Sequence, residues 1–209
     1  MKTLVLIAAA VFLLTMMDSP TLAAGWFWDT GNAFGFCAFA GLLYLAWSSA
    51  GTADLKAHRL LGNAILLVAA LHVFWFLLGD PVVVEYIKPG APHPMWAGIG
   101  AFVLLNVMIL IGLPEYRQRI YRDRGRFRHW HRWIAVGVIA GSAWHIVGAA
   151  QYLRMPWQWL PMLAIAATAC FAYRFNRPNN ELGAQSSWLF LGITVMATSL
   201  FVLIRNSWT

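Results

Sequence analysis

Two stretches of the chain share one pattern: histidine, arginine, twelve further residues, histidine. The first holds His58, Arg59 and His72, and the second His131, Arg132 and His145. Neutral imidazole is a good ligand for iron. Two of them fill both axial positions of a haem, which then carries electrons and does not readily bind oxygen. The fourteen-residue step between the histidines of each stretch turns an α-helix by ~1400°, within ~40° of whole turns, and advances it ~21 Å. Both histidines of a helix therefore face nearly the same side. They are too far apart to share one metal ion and well placed for two cofactors in two layers. Equal spacing lets the helices face each other, pairing His58 with His131 around an inner b-type haem and His72 with His145 around an outer one.

The neighbours of these residues fit that chemistry. A porphyrin face needs room one turn from its ligand on the same side of the helix. Gly62 lies four residues after His58, Ala135 four after His131 and Gly141 four before His145, while Val68, four before His72, is bulkier. Arg59 and Arg132 directly follow the inner ligands, where a guanidinium can pair with a haem propionate or serve as a topology signal. His129 is sixteen residues from His145, so its side chain points ~160° away from that ligand, which removes it from the set. His93 has no partner at the required spacing and reads as a loop residue. Phe74, Trp75, Phe76 and Trp144 crowd the outer ligands and read as packing or lipid-facing rings. Cys37 and Cys170 lie in apolar runs and read as small packing residues.

These ligands must be carried by membrane helices. The chain is 60% hydrophobic and only 11% charged over 209 residues, too few charges to coat a soluble globule. In lipid the backbone must satisfy its own hydrogen bonds, and long continuous apolar runs select helices over strands. The expected fold is all-α, a polytopic membrane bundle of six helices after a signal-like segment, or seven if that segment is retained. Residues 1–24 read as a signal peptide or a short first membrane helix, because Lys2 precedes a short apolar run and small residues follow. Residues 25–209 form the expected dihaem transmembrane domain. Its apolar segments run over 33–50, 58–78, 95–113, 131–150, 157–173 and 187–204. The net charge of +7 does not indicate nucleic acid. The arginines cluster in short connections, with Lys56 and Arg59 at one, seven arginines from Arg117 to Arg132 in an expected loop over 114–132, and Arg174 and Arg177 at a third. That bias places these connections in the cytoplasm and the 81–94 and 154–157 connections outside. The expected location is an integral protein of a bacterial inner membrane with its C-terminus periplasmic.

At HRLLG (residues 58–62), His72 and the His131/His145 pair, the chain resembles the ferric reductase-like transmembrane superfamily. That group includes ferric-chelate reductases, NADPH oxidases and the haem-binding membrane subunit of the periplasmic methionine sulfoxide reductase system. The likeness covers about residues 33–173. It implies two stacked b haems that carry electrons from a cytoplasmic donor to an outer acceptor. The second histidine pair is often one residue closer in that family. Many members also continue into a flavin and nicotinamide domain, and no Gly-rich dinucleotide fingerprint occurs here.

The leading expectation is a haem-binding oxidoreductase component with no acid–base catalytic residues of its own. It takes electrons from a separate flavin reductase, or from quinol, and passes them to a ferric chelate or periplasmic redox protein. A quinol-oxidising cytochrome b is the alternative, with Asp80 and Glu85 as candidate proton acceptors. A haem-free transporter or assembly protein would use intramembrane histidines as a proton relay, but leaves their equal spacing without a purpose.

Overall fold

The computed structural model describes residues 2–16, 25–48, 55–120, 123–175 and 185–207. Among them are eight α-helices and no strand: α1 (Lys2–Met16), α2 (Gly25–Ser48), α3 (Leu55–Gly79), α4 (His93–Gly112), α5 (Pro114–Ile120), α6 (Arg124–Ala149), α7 (Pro156–Phe175) and α8 (Ser186–Asn206). A 3-10 segment, Pro81–Ile87, links α3 to α4. Five helices are long and apolar enough to cross a membrane: α2, α3, α4, α6 and α8. The chain is accordingly an all-helical bundle with the length and apolarity of an integral membrane protein. The polar turn at 51–54, the small residues at 18–24, Arg122 and Arg177 lie outside the described residues.

Helix α2 is the centre. Ala33, Phe36, Cys37, Phe39, Leu43 and Tyr44 are all buried, so apolar side chains are enclosed on every face, as in a helix surrounded by others. It packs against α1, α3, α7 and α8. Small residues let these neighbours approach closely. A Cβ added at Gly41 would lie 2.7 Å from the Phe190 ring on α8 and 2.8 Å from Ile65 Cγ1 on α3. Leu4 and Val11 of α1 are buried in the same apolar cluster. The buried Gln158 side chain donates from Nε2 to the Leu14 carbonyl at 3.1 Å, which sets the C-terminal end of α1 level with the start of α7. Its Oε1 accepts from the backbone N–H groups of Arg154 and Met155, both at 3.0 Å. Within α7, Pro161 lacks the N–H that would bond one turn back.

Two boundaries differ from the apolar pattern. Helix α2 starts at Gly25 rather than near residue 33, so Trp26, Phe27 and Trp28 ride on the helix. They are held there by Trp75, which donates from Nε1 to the Phe27 carbonyl at 2.9 Å and stacks on the Phe27 ring. Helix α6 starts at Arg124 rather than near residue 131. The expected basic loop is therefore α5 followed by the first turns of α6. The cause is Asp123, an N-cap whose carboxylate accepts from the N–H groups of Gly125 at 3.0 Å and Arg126 at 3.1 Å.

Two stability predictions follow from these contacts. Gly41→Ala should destabilise the detergent-solubilised protein by about 1–3 kcal/mol through overpacking. Gly192→Ala, where an added Cβ meets nothing within 4 Å, should be neutral or gain roughly 0.5–1 kcal/mol. Paired thermal unfolding curves decide this, and equal melting temperatures would refute it. The second concerns Asp123, whose carboxyl is held below its ordinary value by the Gly125 and then the Arg126 N–H. A depressed carboxyl stabilises the fold above its unfolded value and loses that contribution as pH falls through the folded one. Melting should therefore show an acid-limb loss below about pH 4 that is smaller in Asp123→Asn than in the unsubstituted protein.

Candidate functional site

The fold brings the four histidines together in two facing pairs. The rings of His58 and His131 have centroids 6.1 Å apart, and those of His72 and His145 6.2 Å apart. The interplanar angles are 55° and 70°. Each pair joins α3 to α6. The backbones of these helices make little close contact, because α3 lies along α2 and α6 along α4. The imidazoles bridge the gap between them.

The His72/His145 pair is fixed by neighbouring backbone. The Nδ1 of His72 lies 2.8 Å from the Gly31 carbonyl on α2, and the Nδ1 of His145 lies 3.0 Å from the Pro94 carbonyl on α4. A carbonyl oxygen can only accept, so each Nδ1 carries the proton and each Nε2 keeps its lone pair. This is the arrangement in which a ligand histidine is oriented and made more basic from behind. Glycines make the seats. A Cβ at Gly35 would fall 2.9 Å from His72 Nδ1, and one at Gly98 2.8 Å from the His145 ring. Gly148, one turn after His145, closes onto Pro94 itself.

The His58/His131 pair is built differently. Phe127, one turn before His131, tilts against its ring with centroids 5.3 Å apart. The Nδ1 of His131 is buried and has no hydrogen-bond partner among the described residues. Both rings lie close to the exposed basic residues Arg59 and Arg132, which directly follow them. His129 points elsewhere: it is exposed and lies beside Trp130 and Trp133. His93 is exposed at the start of α4. Asp80 caps the 3-10 segment through the Val82 N–H at 2.9 Å, and Glu85 pairs with Lys88 at 2.5 Å.

The glycines and alanine singled out by spacing occupy other ground. A Cβ at Gly62 would meet Ile109 Cδ1 at 3.3 Å and Leu45 Cδ2 at 3.9 Å, so α4 and α2 fill the space beside it. Gly141 lies against the Ala97 carbonyl and Ala101 of α4, and Ala135 packs on the edge of the main apolar cluster. The glycines beneath the rings are Gly35 and Gly98, on the helices that carry no ligand.

At the His72/His145 end lies a buried polar cluster. Asp29 on α2 accepts from the Tyr152 hydroxyl at 2.7 Å, from Arg205 Nε at 3.1 Å and from Asn206 Nδ2 at 3.0 Å. Tyr152 follows α6, and Arg205 and Asn206 end α8. Burial, reinforced by the hydrogen bond to Asp29, raises the Tyr152 phenol far above its ordinary value and keeps it protonated as the donor.

Among the described residues no three His, Cys, Asp or Glu side chains converge as a metal-ion cage. The candidate donor sets are the two histidine pairs, two imidazoles each. No family model, curated protein or solved structure matches this chain.

The glycine seats can be tested directly. With ¹⁵N-histidine labelling, Gly35→Ala should shift the His72 ring resonances and Gly98→Ala those of His145. Both should leave His58 and His131 unmoved. Gly100→Ala, where an added Cβ meets nothing within 4 Å, should move none of the four. Shifts spread evenly over all four histidines would contradict the seats.

Proposed function

We propose that this chain is a dihaem membrane electron-transfer subunit of the ferric reductase-like type. In this reading His58 and His131 hold an inner b haem, and His72 and His145 an outer one. The observation that carries it is the facing of both pairs at one spacing, 6.1 and 6.2 Å between ring centroids. Two metal–nitrogen bonds of about 2 Å each, with half an imidazole on either side, span roughly that distance.

The donor set supports a haem over a bare ion. Two imidazoles are too few to hold a metal ion that needs four ligands. They suffice for an iron whose macrocycle supplies the other four. The protonated Nδ1 of His72 and of His145 leaves each Nε2 free toward the gap, and the gap separates helices whose backbones do not pack together. Bound there, haem supplies one-electron chemistry. The chain's part is to hold the imidazoles, fix their tautomers and set the distance between layers. Arg59 and Arg132 are exposed beside the inner pair, suited to propionates or lipid phosphates. Gly62 acts here as a packing residue that lets α3 close on its neighbours.

The same reading sets the topology. Six spans follow α1, with α7 counted alongside the five most apolar helices. The basic ends of α3 and α6 face the cytoplasm, which puts Arg205 and the C-terminus in the periplasm of a bacterial inner membrane. Electrons enter from a flavin reductase or quinol and leave to a ferric chelate or periplasmic redox protein. A cleft of ≈ 430 Å³ between α3 and α4, lined by Asn63, Leu66, Leu67, Ala70, Phe74, Phe102 and Asn106, favours the quinol donor as second reading. It offers two amides on an apolar, lipid-facing wall.

An oxidised-minus-reduced spectrum of the purified protein, with a haem-to-protein ratio, tests the assignment. Two b haems per chain are expected, falling to about one in His72→Ala and in His131→Ala. A colourless protein, or a single haem indifferent to His72, would sink it. Reduction by a short-chain quinol, diminished in Asn63→Leu with haem content unchanged, would select the quinol donor over the flavin reductase.

A further inference from the structure

Asp29 is completely enclosed, with 0% of its surface exposed, and Arg205 and Tyr152 are nearly so at 4% and 5%. The guanidinium lies over the Tyr152 ring at 4.8 Å and the Phe201 ring at 5.5 Å. Asn32 Nδ2 reaches the Tyr152 hydroxyl at 3.4 Å. Stability alone explains this cluster poorly, because a buried ion pair often stabilises no more than the apolar residues that could replace it. Its placement gives a better account.

Asp29 and Gly31 are two residues apart on α2, so they point ~200° from one another around the helix. The carboxylate meets α8 and the stretch after α6, while the Gly31 carbonyl meets α3 and accepts the hydrogen bond from His72 Nδ1–H. Tyr152 comes seven residues after His145, where Ala150 turns the chain at a left-handed φ of 51°. One carboxylate thus ties the backbone that orients His72 to the chain that ends the helix of His145. The helices α3 and α6 do not pack together closely enough to fix that distance themselves.

We propose that the Asp29–Tyr152–Arg205 cluster is a positioning clamp for the outer pair, setting the separation of His72 and His145 and the His72-to-Gly31 hydrogen bond. The role as a haem clamp rests on the dihaem reading. The cluster's hydrogen bonds lie at the His72/His145 end of α2, two residues from Gly31, so the clamp acts on that pair.

The test uses the full chain in detergent, with Asp29→Asn, Tyr152→Phe and, as a buried control on α8, Thr194→Val. Potentiometric titration and low-temperature EPR of the ferric protein are read for each. His72→Ala and His131→Ala assign the two components. Asp29→Asn should keep two haems and shift the midpoint and g-values of the outer component. Tyr152→Phe should shift them in the same direction but less, and Thr194→Val should shift neither component. The inner component should stay in place throughout. A lower melting temperature with both components unmoved, or equal shifts in both, would make the cluster a staple and overturn the clamp. If Asp29→Asn does not fold, Tyr152→Phe decides on the same readout. Absence of haem from the unsubstituted protein would defeat the dihaem reading itself. The labelled His72 resonance then decides the clamp alone, which stands if that resonance moves in Tyr152→Phe and falls if it does not.

Discussion

Two helices that meet through imidazole rings must be kept at their distance by something else. Helices α3 and α6 are in that position, and the rest of the bundle is arranged around it. Helix α2 carries α3, helix α4 carries α6, and each supplies a backbone carbonyl to a histidine of its neighbour. A carbonyl within a helix is ordinarily committed to its own ladder but has a second lone pair. Gly31 uses it for His72. Pro94, in the first turn of α4, accepts from His145 in the same way. Both attachments require the ring to come almost onto the backbone, and glycine at positions 35 and 98 permits that approach.

The two ends of the site are therefore unlike in their physics. The His72/His145 rings are fixed by backbone, seated on glycine and backed by a buried carboxylate cluster. The His58/His131 rings rest on an aromatic neighbour, with exposed arginines next in sequence. A ligand whose Nδ1–H is hydrogen-bonded is more basic. In the proposed dihaem reading, the two irons would sit in different fields although each would have two imidazole ligands. The sequence pattern presents them as equal repeats, and the asymmetry arises in the helices between.

Much of the site was readable from spacing alone. The fourteen-residue step in both stretches predicts one face for each pair, and the rings of His58/His131 and His72/His145 do face each other. The phase argument that discarded His129 agrees with its exposed position. What was not readable lies on other elements. Gly31, Gly35, Pro94 and Gly98 sit on helices without a ligand, and periodicity within one helix carries no information about which residue of another lies opposite. Asp29 and Arg205 each look like ordinary interface residues, since one follows an aromatic cluster and the other ends an apolar run. Only the packing of α2 against α8 makes them partners. The early start of α6 was hidden because its first turns are basic rather than apolar, and the signal for it was Asp123 as a cap.

The Asp29 cluster also fixes an order of events during synthesis. Its carboxylate lies 123 residues before Tyr152 and 176 before Arg205, so α2 leaves the ribosome long before either partner exists. A carboxylate buried apart from its partners is costly, so Asp29 gains its enclosed site only when α8 and the stretch after α6 pack against α2. The N-terminal end of α2 can thus reach its packed state only after α8 is made. A cell inserting this chain handles a bundle whose central helix is completed only by α8.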